Sequence, residues 1–518
     1  MDIEDKILGG AAREGGLQEL QDELGRIGAT PLELFGYLRS VWISENITGD
    51  YVTYVEKVLG KQLSEYLWKG DGQKRSDLED FAEKNNYHWG DAAFHIAHRA
   101  TSYGDLNAVL PAVWPGMECV INQGYSLSVL PLPILIGDPD LLNKCIPKAD
   151  FFAEHAAKRW DPYGIFEDSA KLFKDGFYLA SQKFESSVLM NITSACPMGC
   201  VGCYKGAFTR ILGRAFYTDL EKAVSSQARL LVAHLNEHPE IKSVIISGGE
   251  PLLLQNEGCA KLLSKFEDAE HLAELRICTG SIFQGLPFRI DDGLLDILEA
   301  YENKTAVKIN FNAHLSHPKQ FTPESLLAVR RITKRGFPIN SQVPLQNGVN
   351  VFVGDYGKTI GTMHRLALLQ GSSGVRPYKY ILHMNVGSLS YSVPLEFILR
   401  LLGDLKYRID HPIPETWQPV SCSILCSGGN ILLSPQMLLS MKKEVDCKND
   451  SVVYYLPAAV AGGELRPFRY SEPLMHGVND SSKSLAELQE KYKAYTREAF
   501  CAFHEPALEK QEKWMHPS

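Results

Sequence analysis

The chain has 518 residues, 45% of them apolar and 22% charged, an ordinary globular composition with room for roughly two to four domains. A formal net charge of −9 gives no basic footprint, which argues against a sequence-independent nucleic-acid binder. No apolar run reaches the roughly 18–20 residues that span a bilayer, and the charged start MDIEDKILGG lacks the apolar core of a signal peptide. The expectation is a cytoplasmic protein with no membrane and no nucleic-acid partner.

In chain order, residues 1–180 read as a mainly helical N-terminal region. Within GLQELQDELGRIG, Leu17, Leu20, Leu24 and Ile27 recur on one helical face. Trp42, Trp68, Trp89, Trp114 and Trp160 also lie there, side chains of the kind that dominate a core or an interface, so contacts between copies in a homo-oligomer are one expectation. His88, His95 and His98 read as helix packing ahead of a metal site.

From Ser187 the texture becomes an alternation of strands and helices. Strands are predicted at 187–193, 243–247, 275–279, 306–313, 339–345 and 378–384, with helices at 220–235, 294–301 and 322–336. The last of these opens on Thr322-Pro323 and stops at Gly336. Short β runs separated by helical segments predict βαβ units and a parallel sheet. The fold expected for 181–400 is therefore α/β, a partial (β/α)6 TIM-type barrel with its chemistry at the C-terminal strand ends. Residues 401–518 are expected to form an ordered C-terminal extension that closes the barrel bottom or covers the substrate.

Eleven cysteines in a cytoplasmic setting do not suggest a disulfide framework. Cys119, Cys145, Cys259, Cys278, Cys447 and Cys501 are scattered and read as free thiols. In TSACPMGCVGCYKG, by contrast, Cys196, Cys200 and Cys203 form a C-x3-C-x2-C loop directly after the first parallel strand. Three thiolates on one short loop can bind three irons of a cubane and leave the fourth iron to a small molecule. A structural zinc would want a fourth ligand, which the loop does not supply; a chance cluster of core thiols is the bland alternative. Ser247-Gly248-Gly249-Glu250-Pro251 ends the next strand, where glycines admit close backbone approach and a carboxylate can meet a cation. Taken alone, a simple turn explains it equally well.

The cysteine spacing followed by Tyr204 resembles the defining motif of the radical S-adenosylmethionine (SAM) superfamily. RICTGSIFQGLPFRI, FNAHLSHPKQFTPES, NSQVPLQNGVN and VRPYKYILHM look like lysine 2,3-aminomutase and its relatives in the same order, over about residues 185–430. The resemblance implies a [4Fe–4S] cluster on Cys196, Cys200 and Cys203, with SAM chelated by the free iron. It also implies SAM contacts at Tyr204, Gly248, Gly249, Glu250, Pro251, His314 and Gln342. Reductive cleavage of SAM to a 5′-deoxyadenosyl radical would abstract hydrogen from a small-molecule, amino-acid-like substrate. The electron would come from a flavodoxin- or ferredoxin-type donor.

The sequence departs from that branch where the family holds pyridoxal phosphate (PLP). Asn430, in SCSILCSGGNILLSP, falls where the Schiff-base lysine belongs, and an amide forms no aldimine. The family carboxylates that grip the substrate's distal amine fall on Met384 or Asn385 and on Ser423. YKGAFTR replaces an arginine-rich run, and Cys447 stands alone where some relatives bind zinc. PLP is therefore not expected, and direct hydrogen abstraction is, leading to isomerisation, elimination, epimerisation or oxidation. Two alternatives stand beside this: a PLP-dependent 2,3-aminomutase using Lys442 or Lys443, and a non-catalytic Fe–S or zinc-binding partner subunit. Arg289, Arg376 and Tyr378 near strand ends are candidate contacts for a substrate carboxylate or phosphate, with structural salt bridges the equal reading. Cys422 and Cys426 are candidate hydrogen donors, second-cluster ligands together with Cys447, or inert thiols.

Overall fold

The computed structural model of the chain describes residues 83–84, 88–109, 127–147, 179–203, 205, 220–382, 391–408, 421–426, 429–433, 441–448, 450–461, 464–475, 478–480 and 485–490. The amphipathic segment at 16–28 and all the early tryptophans except Trp89 lie outside these residues. Two compact units divide the chain: Met1–Lys379 with Asn385–Tyr391, and Tyr380–Met384 with Ser392–Ser518.

Among the described residues before the sheet, the first unit holds four short helices, α1 (Ala92–Ala97), α2 (Tyr103–Val109), α3 (Pro131–Ile136) and α4 (Pro139–Leu142). A hairpin of β1 (Ala180–Phe184) and β2 (Ser187–Asn191) follows. From β2 the chain alternates: α5 (Leu220–Glu237), β3 (Ser243–Ser247), α6 (Asn256–Phe266), β4 (Glu274–Thr279), α7 (Asp292–Thr305), β5 (Lys308–His314), α8 (Pro323–Lys334), β6 (Ile339–Leu345), α9 (Tyr356–Ser373) and β7 (Arg376–Leu382). These strands lie side by side in sequence order, and β2 to β6 are parallel. The mixed α/β fold with a mostly parallel sheet agrees with the sequence expectation. Local chemistry sets the helix ends. Asp291 caps α7 by accepting from Leu294 N at 2.7 Å. Thr322 and Ser325 form a reciprocal capping box on α8, with Pro323 in its first turn. Gly374, at φ +82°, ends α9 in the left-handed conformation glycine tolerates.

Side chains alternate across this sheet, and the two faces differ in kind. Leu275, Ile277 and Thr279 of β4 and Ile309, Phe311 and Ala313 of β5 are buried on the side the helices cover, where α7 packs on β5 and α8 on β6. On the other face of the same strands stand Glu274, Arg276 and Cys278, then Asn310, Asn312 and His314. Asn312 pairs in register with Cys278 and with Asn340 of β6, and His314 with Gln342. One face is thus built for helix packing and the other carries a polar row.

The N-terminal helices pack at the cysteine loop's end of this sheet. Leu106, Val129, Leu142 and Ile146 form one buried cluster with Val201, Val349 and Tyr391. The Tyr391 hydroxyl lies 2.7 Å from the Ile146 carbonyl. His95 of α1 is wholly buried, donates from Nε2 to the Trp89 carbonyl at 2.8 Å and stacks on Phe288 at 4.2 Å. For His95 that geometry fits helix packing.

The second unit holds α10 (Leu395–Arg408), the antiparallel pair β8 (Ser421–Cys426) and β9 (Gly429–Leu433), and an antiparallel sheet of β10 (Lys442–Asp446), β11 (Ser451–Ala461) and β12 (Glu464–Pro473). Its core carries a polar knot. Lys443 Nζ meets Glu396 at 2.5 Å with both side chains 2% exposed, and the Tyr454 hydroxyl donates to Glu396 at 2.8 Å. Glu472 accepts from Leu395 N and from Asn479, and burial raises its pKa to about 7.

Burial lowers the pKa of His95 from 6.5 to about 4, so protons bind the unfolded chain first. The stability His95 confers is full above pH 6.5 and is lost as pH falls toward 4, at up to ~1.4 kcal/mol per pH unit. Denaturant unfolding of the wild type and His95→Gln at pH 7, 6 and 5 should show their stability difference shrinking as pH falls. A constant difference would remove the linkage.

Candidate functional site

The three cysteines follow β2, and their loop is fixed by backbone contacts that leave no room for side chains. Gly249 N donates to the Thr193 carbonyl at 2.6 Å, and Glu250 N to that of Ala195 at 2.9 Å. A Cβ at Gly249 would lie 2.1 Å from the Ala195 oxygen. One at Gly248, whose φ is +131°, would lie 2.3 Å from the Thr193 oxygen. On its other side the loop is tied to residues 127–147: Gly199 N donates to the Ser128 carbonyl, Ser128 Oγ to that of Pro197, and Val201 N to that of Lys144. Gly199 is required there too, since a Cβ would meet the Ser128 oxygen at 2.4 Å.

Glu250 joins the loop after β3 to the end of β4. Its Oε1 accepts from Leu252 N at 3.1 Å and from Thr279 Oγ1 at 2.6 Å, and its Oε2 accepts from Gly280 N at 2.8 Å. Burial raises the pKa of this 1% exposed carboxyl, and the three donors pull it back. Both oxygens are engaged within the protein, so Glu250 acts here as a brace between two strand ends. The sequence reading had offered it to a ligand cation.

Cys196, Cys200 and Cys203 are free thiols, and Cys196 and Cys200 pack against Leu130, Met198 and Leu286. Burial, and then the neighbouring Cys200 and Cys203, push the Cys196 thiol well above its usual range. Ionisation of such crowded, partly buried thiols is favoured by a metal's positive charge. Among the described residues, one trio of metal-ligating atoms has every pair within 4.8 Å: Asp138, Asp140 and His317. A structural zinc site is closed by four ligands, and the loop supplies three. Three thiols on one loop suit three corners of a cubane and leave the fourth iron open. The acidic trio is already engaged: Asp138 caps Leu141 N, Asp140 pairs with Lys358 at 2.7 Å, and His317 Nδ1 accepts from Lys319 N.

Around the loop the structure gathers Lys205 and Gln284, which sequence reasoning passed over, with His314, which it named. Lys205, 5% exposed, donates to Asn191 Oδ1 at 2.8 Å and Ser247 Oγ at 2.7 Å, bridging the ends of β2 and β3. Burial lowers its pKa to about 8, while Cys278 and Cys203 pull upward. Gln284 lies 2.9 Å from Cys200 Sγ and donates to the His314 carbonyl at 3.3 Å, linking the cysteine loop to β5. His314 is lowered to about 4, by burial first and then by the cations of Lys144 and Lys205, so its ring is neutral at pH 7. Gln342 is its register neighbour. The signal for this row was present in the strand sequences RICT and NFNAH, whose polar alternation runs against the apolar filling of an ordinary barrel.

Arg289 is 6% exposed and gives its donors to the carbonyls of Leu252 and Leu254, to Asn256 and to Asp291, so its contacts support the structural reading. Arg376 opens β7 and is exposed. Tyr204, Met384 and Asn385 lie outside the described residues, as do the side chains of Tyr378, Cys426 and Asn430. Ser423 is 1% exposed, and among the described residues its Oγ has no hydrogen-bond partner. Cys422 and Cys426 sit four residues apart on β8, about 13 Å along an extended strand, too far to share one cluster.

Glu250→Ala would strand the three donors and is expected to cost about 2–4 kcal/mol in urea unfolding; Glu250→Gln, which keeps the shape, should cost less. Gly249→Ala should push the loop off Ala195, and the iron and sulfide retained per chain after anaerobic reconstitution should fall sharply against wild type. Wild-type iron loading in Gly249→Ala would contradict this account of the loop.

Comparison with known proteins bears on this arrangement. Residues 187–322 match the model of the 4Fe-4S single cluster domain family, a span holding all three cysteines and Glu250. An Aquifex aeolicus protein named by inference as an L-lysine 2,3-aminomutase is 28% identical over 232 residues, 44% of this chain and 57% of the relative. The L-lysine 2,3-aminomutase of Bacillus subtilis is 24% identical, covering 73% of this chain and 76% of its own length. The glutamate 2,3-aminomutase of Clostridioides difficile is 22% identical, covering 51% and 59%. The chain thus spans little more than half the length of the Aquifex and Clostridioides relatives. The cysteine loop, the Gly-Gly-Glu turn and these relatives agree in making the chain similar to the lysine 2,3-aminomutase-like branch of the radical SAM superfamily.

Proposed function

We propose that this chain is a radical SAM enzyme that begins its reaction by abstracting hydrogen from a small, amino-acid-like substrate without PLP. The observation that carries the reading is the three-thiol loop, partly buried and held at the C-terminal end of β2 by contacts to the next strand's glycines. When bound there, a [4Fe–4S] cluster and SAM supply a 5′-deoxyadenosyl radical on accepting one electron from a flavodoxin- or ferredoxin-type donor.

The protein's own residues have distinct tasks in this reading. Cys196, Cys200 and Cys203 hold the cluster, and Leu130, Met198 and Leu286 keep water from it. Gly248 and Gly249 offer backbone to the SAM amino group at a turn that Glu250 and Pro251 keep in shape. His314, neutral at pH 7, and its neighbour Gln342 offer hydrogen bonds to SAM from β5 and β6. By the family resemblance, Tyr204 is a further SAM contact. The strand row curls into a partial (β/α)6 barrel with its polar face inward. Asn312, Asn340 and Cys278 then line the chamber in which the substrate's hydrogen is removed, and a chamber lined by amides suits a polar substrate.

Two observations support the absence of PLP. Asn430 stands at the position of the family lysine, and Lys443 is buried in an ion pair with Glu396, an arrangement that opposes the free amine an aldimine requires. The relatives include enzymes named for lysine and for glutamate, so substrate varies across the branch. The second reading, a PLP-dependent 2,3-aminomutase, draws on those names.

Anaerobic reconstitution followed by SAM and dithionite should yield 5′-deoxyadenosine, and Cys196→Ala, Cys200→Ala and Cys203→Ala should each abolish it. A cluster-loaded wild type that yields none, even with lysine or glutamate added, would count against catalysis. Incubation with PLP and then borohydride should leave no stoichiometric phosphopyridoxyl-lysine in a peptide map. One such adduct per chain, at Lys442, Lys443 or elsewhere, would replace this reading with the second.

A further inference from the structure

Lys144 follows α4 and is 3% exposed. Its ammonium donates to Ser316 Oγ at 2.8 Å, and among the described residues no carboxylate pairs with it. Ser316 is itself wholly buried, and its remaining polar groups are engaged: its N–H donates to Gln320 and its carbonyl accepts from Asn350. A buried ammonium served by one hydroxyl is costly, by several kcal/mol even after relaxation, unless a negative charge comes to it.

Its position says where that charge arrives. The Lys144 carbonyl accepts from Val201 N, between the second and third cysteines. Ser316 lies two residues beyond His314, and Lys144 is one of the two cations that depress the His314 ring. The other, Lys205, is served by two side-chain acceptors, Asn191 and Ser247. Lys144 therefore stands at the strand ends that carry the cysteine loop and His314, as a buried cation with one neutral partner.

We propose that Lys144 is the counter-charge for the carboxylate of SAM bound beside His314, a positioning residue supplied by the segment that precedes the sheet. This rests on the radical SAM reading above. The segment 127–147 then does two things: it pins the cysteine loop through Ser128 and the Lys144 carbonyl, and it charges the cofactor site through the Lys144 ammonium.

The test compares binding of SAM and of decarboxylated SAM to the cluster-loaded protein by anaerobic equilibrium dialysis, in wild type, Lys144→Met, Lys144→Gln and Lys144→Arg. Iron per chain and thermal unfolding serve as controls for folding. Wild type should prefer SAM, and the preference should fall about tenfold in Lys144→Met, with decarboxylated SAM bound as in wild type. Lys144→Arg should restore part of it, which a merely structural role would not do. If Lys144→Met does not load its cluster, Lys144→Gln carries the same comparison. An unchanged ratio in a loaded variant overturns the proposal and leaves the radical SAM reading intact. A loaded wild type that binds neither compound overturns that reading itself.

Discussion

The site depends first on a close approach between two backbones. The turn after β3 presses Gly248 and Gly249 against Thr193 and Ala195, at distances a single methyl group would violate. Glu250 then fastens the same turn to Thr279 and Gly280 at the end of β4. Three consecutive strand ends are thereby locked together, and the cysteine loop leaves the first of them with little freedom. Segment 127–147 closes the other side through Ser128 and Lys144. A loop held this way can keep three thiols at fixed separations before any metal is present, and the chemistry proposed for the chain needs that preorganisation.

The two faces of the sheet divide the work. Apolar side chains on one face bury against helices and provide the hydrophobic stabilisation, about 25 cal/mol per Å² removed from water. That leaves the other face free to carry groups that would be costly in a core. Cys278, Asn312, His314 and Asn340 are tolerated there because the alternation of β4, β5 and β6 turns them away from the helices. Lys205 and Lys144, although buried, are anchored to the same end. Stability and function are thus written on alternate residues of the same strands.

Much of this was legible in the sequence. Strand β3 was legible as a short apolar run stopped by Gly-Gly, β6 as a run of alternating burial, and α8 by its Thr-Pro start and glycine stop. The cysteine loop was legible because metal chemistry demands close spacing along the chain. Sites assembled from distant segments were not. Lys144 precedes the cysteines by 52 positions and carries no motif, and Lys205 sits in the run that replaces the family arginines, so only the folded chain brings it to Asn191 and Ser247. Arg289 illustrates the opposite error: an arginine near a strand end looks like an anion site until its donors are found on the carbonyls of Leu252 and Leu254. For Glu250 the sequence marked the right residue, but the structure gives its carboxylate to the protein.

The central claim is that the loop of Cys196, Cys200 and Cys203 holds a cubane with one iron open to SAM. Electron paramagnetic resonance of the dithionite-reduced, reconstituted protein, recorded with and without SAM, tests it most directly. The expected result is a reduced [4Fe–4S] signal that changes its g-values when SAM is added and is lost in Cys200→Ala. A protein that takes up zinc in place of iron, or a cluster signal that SAM leaves unmoved, would contradict it.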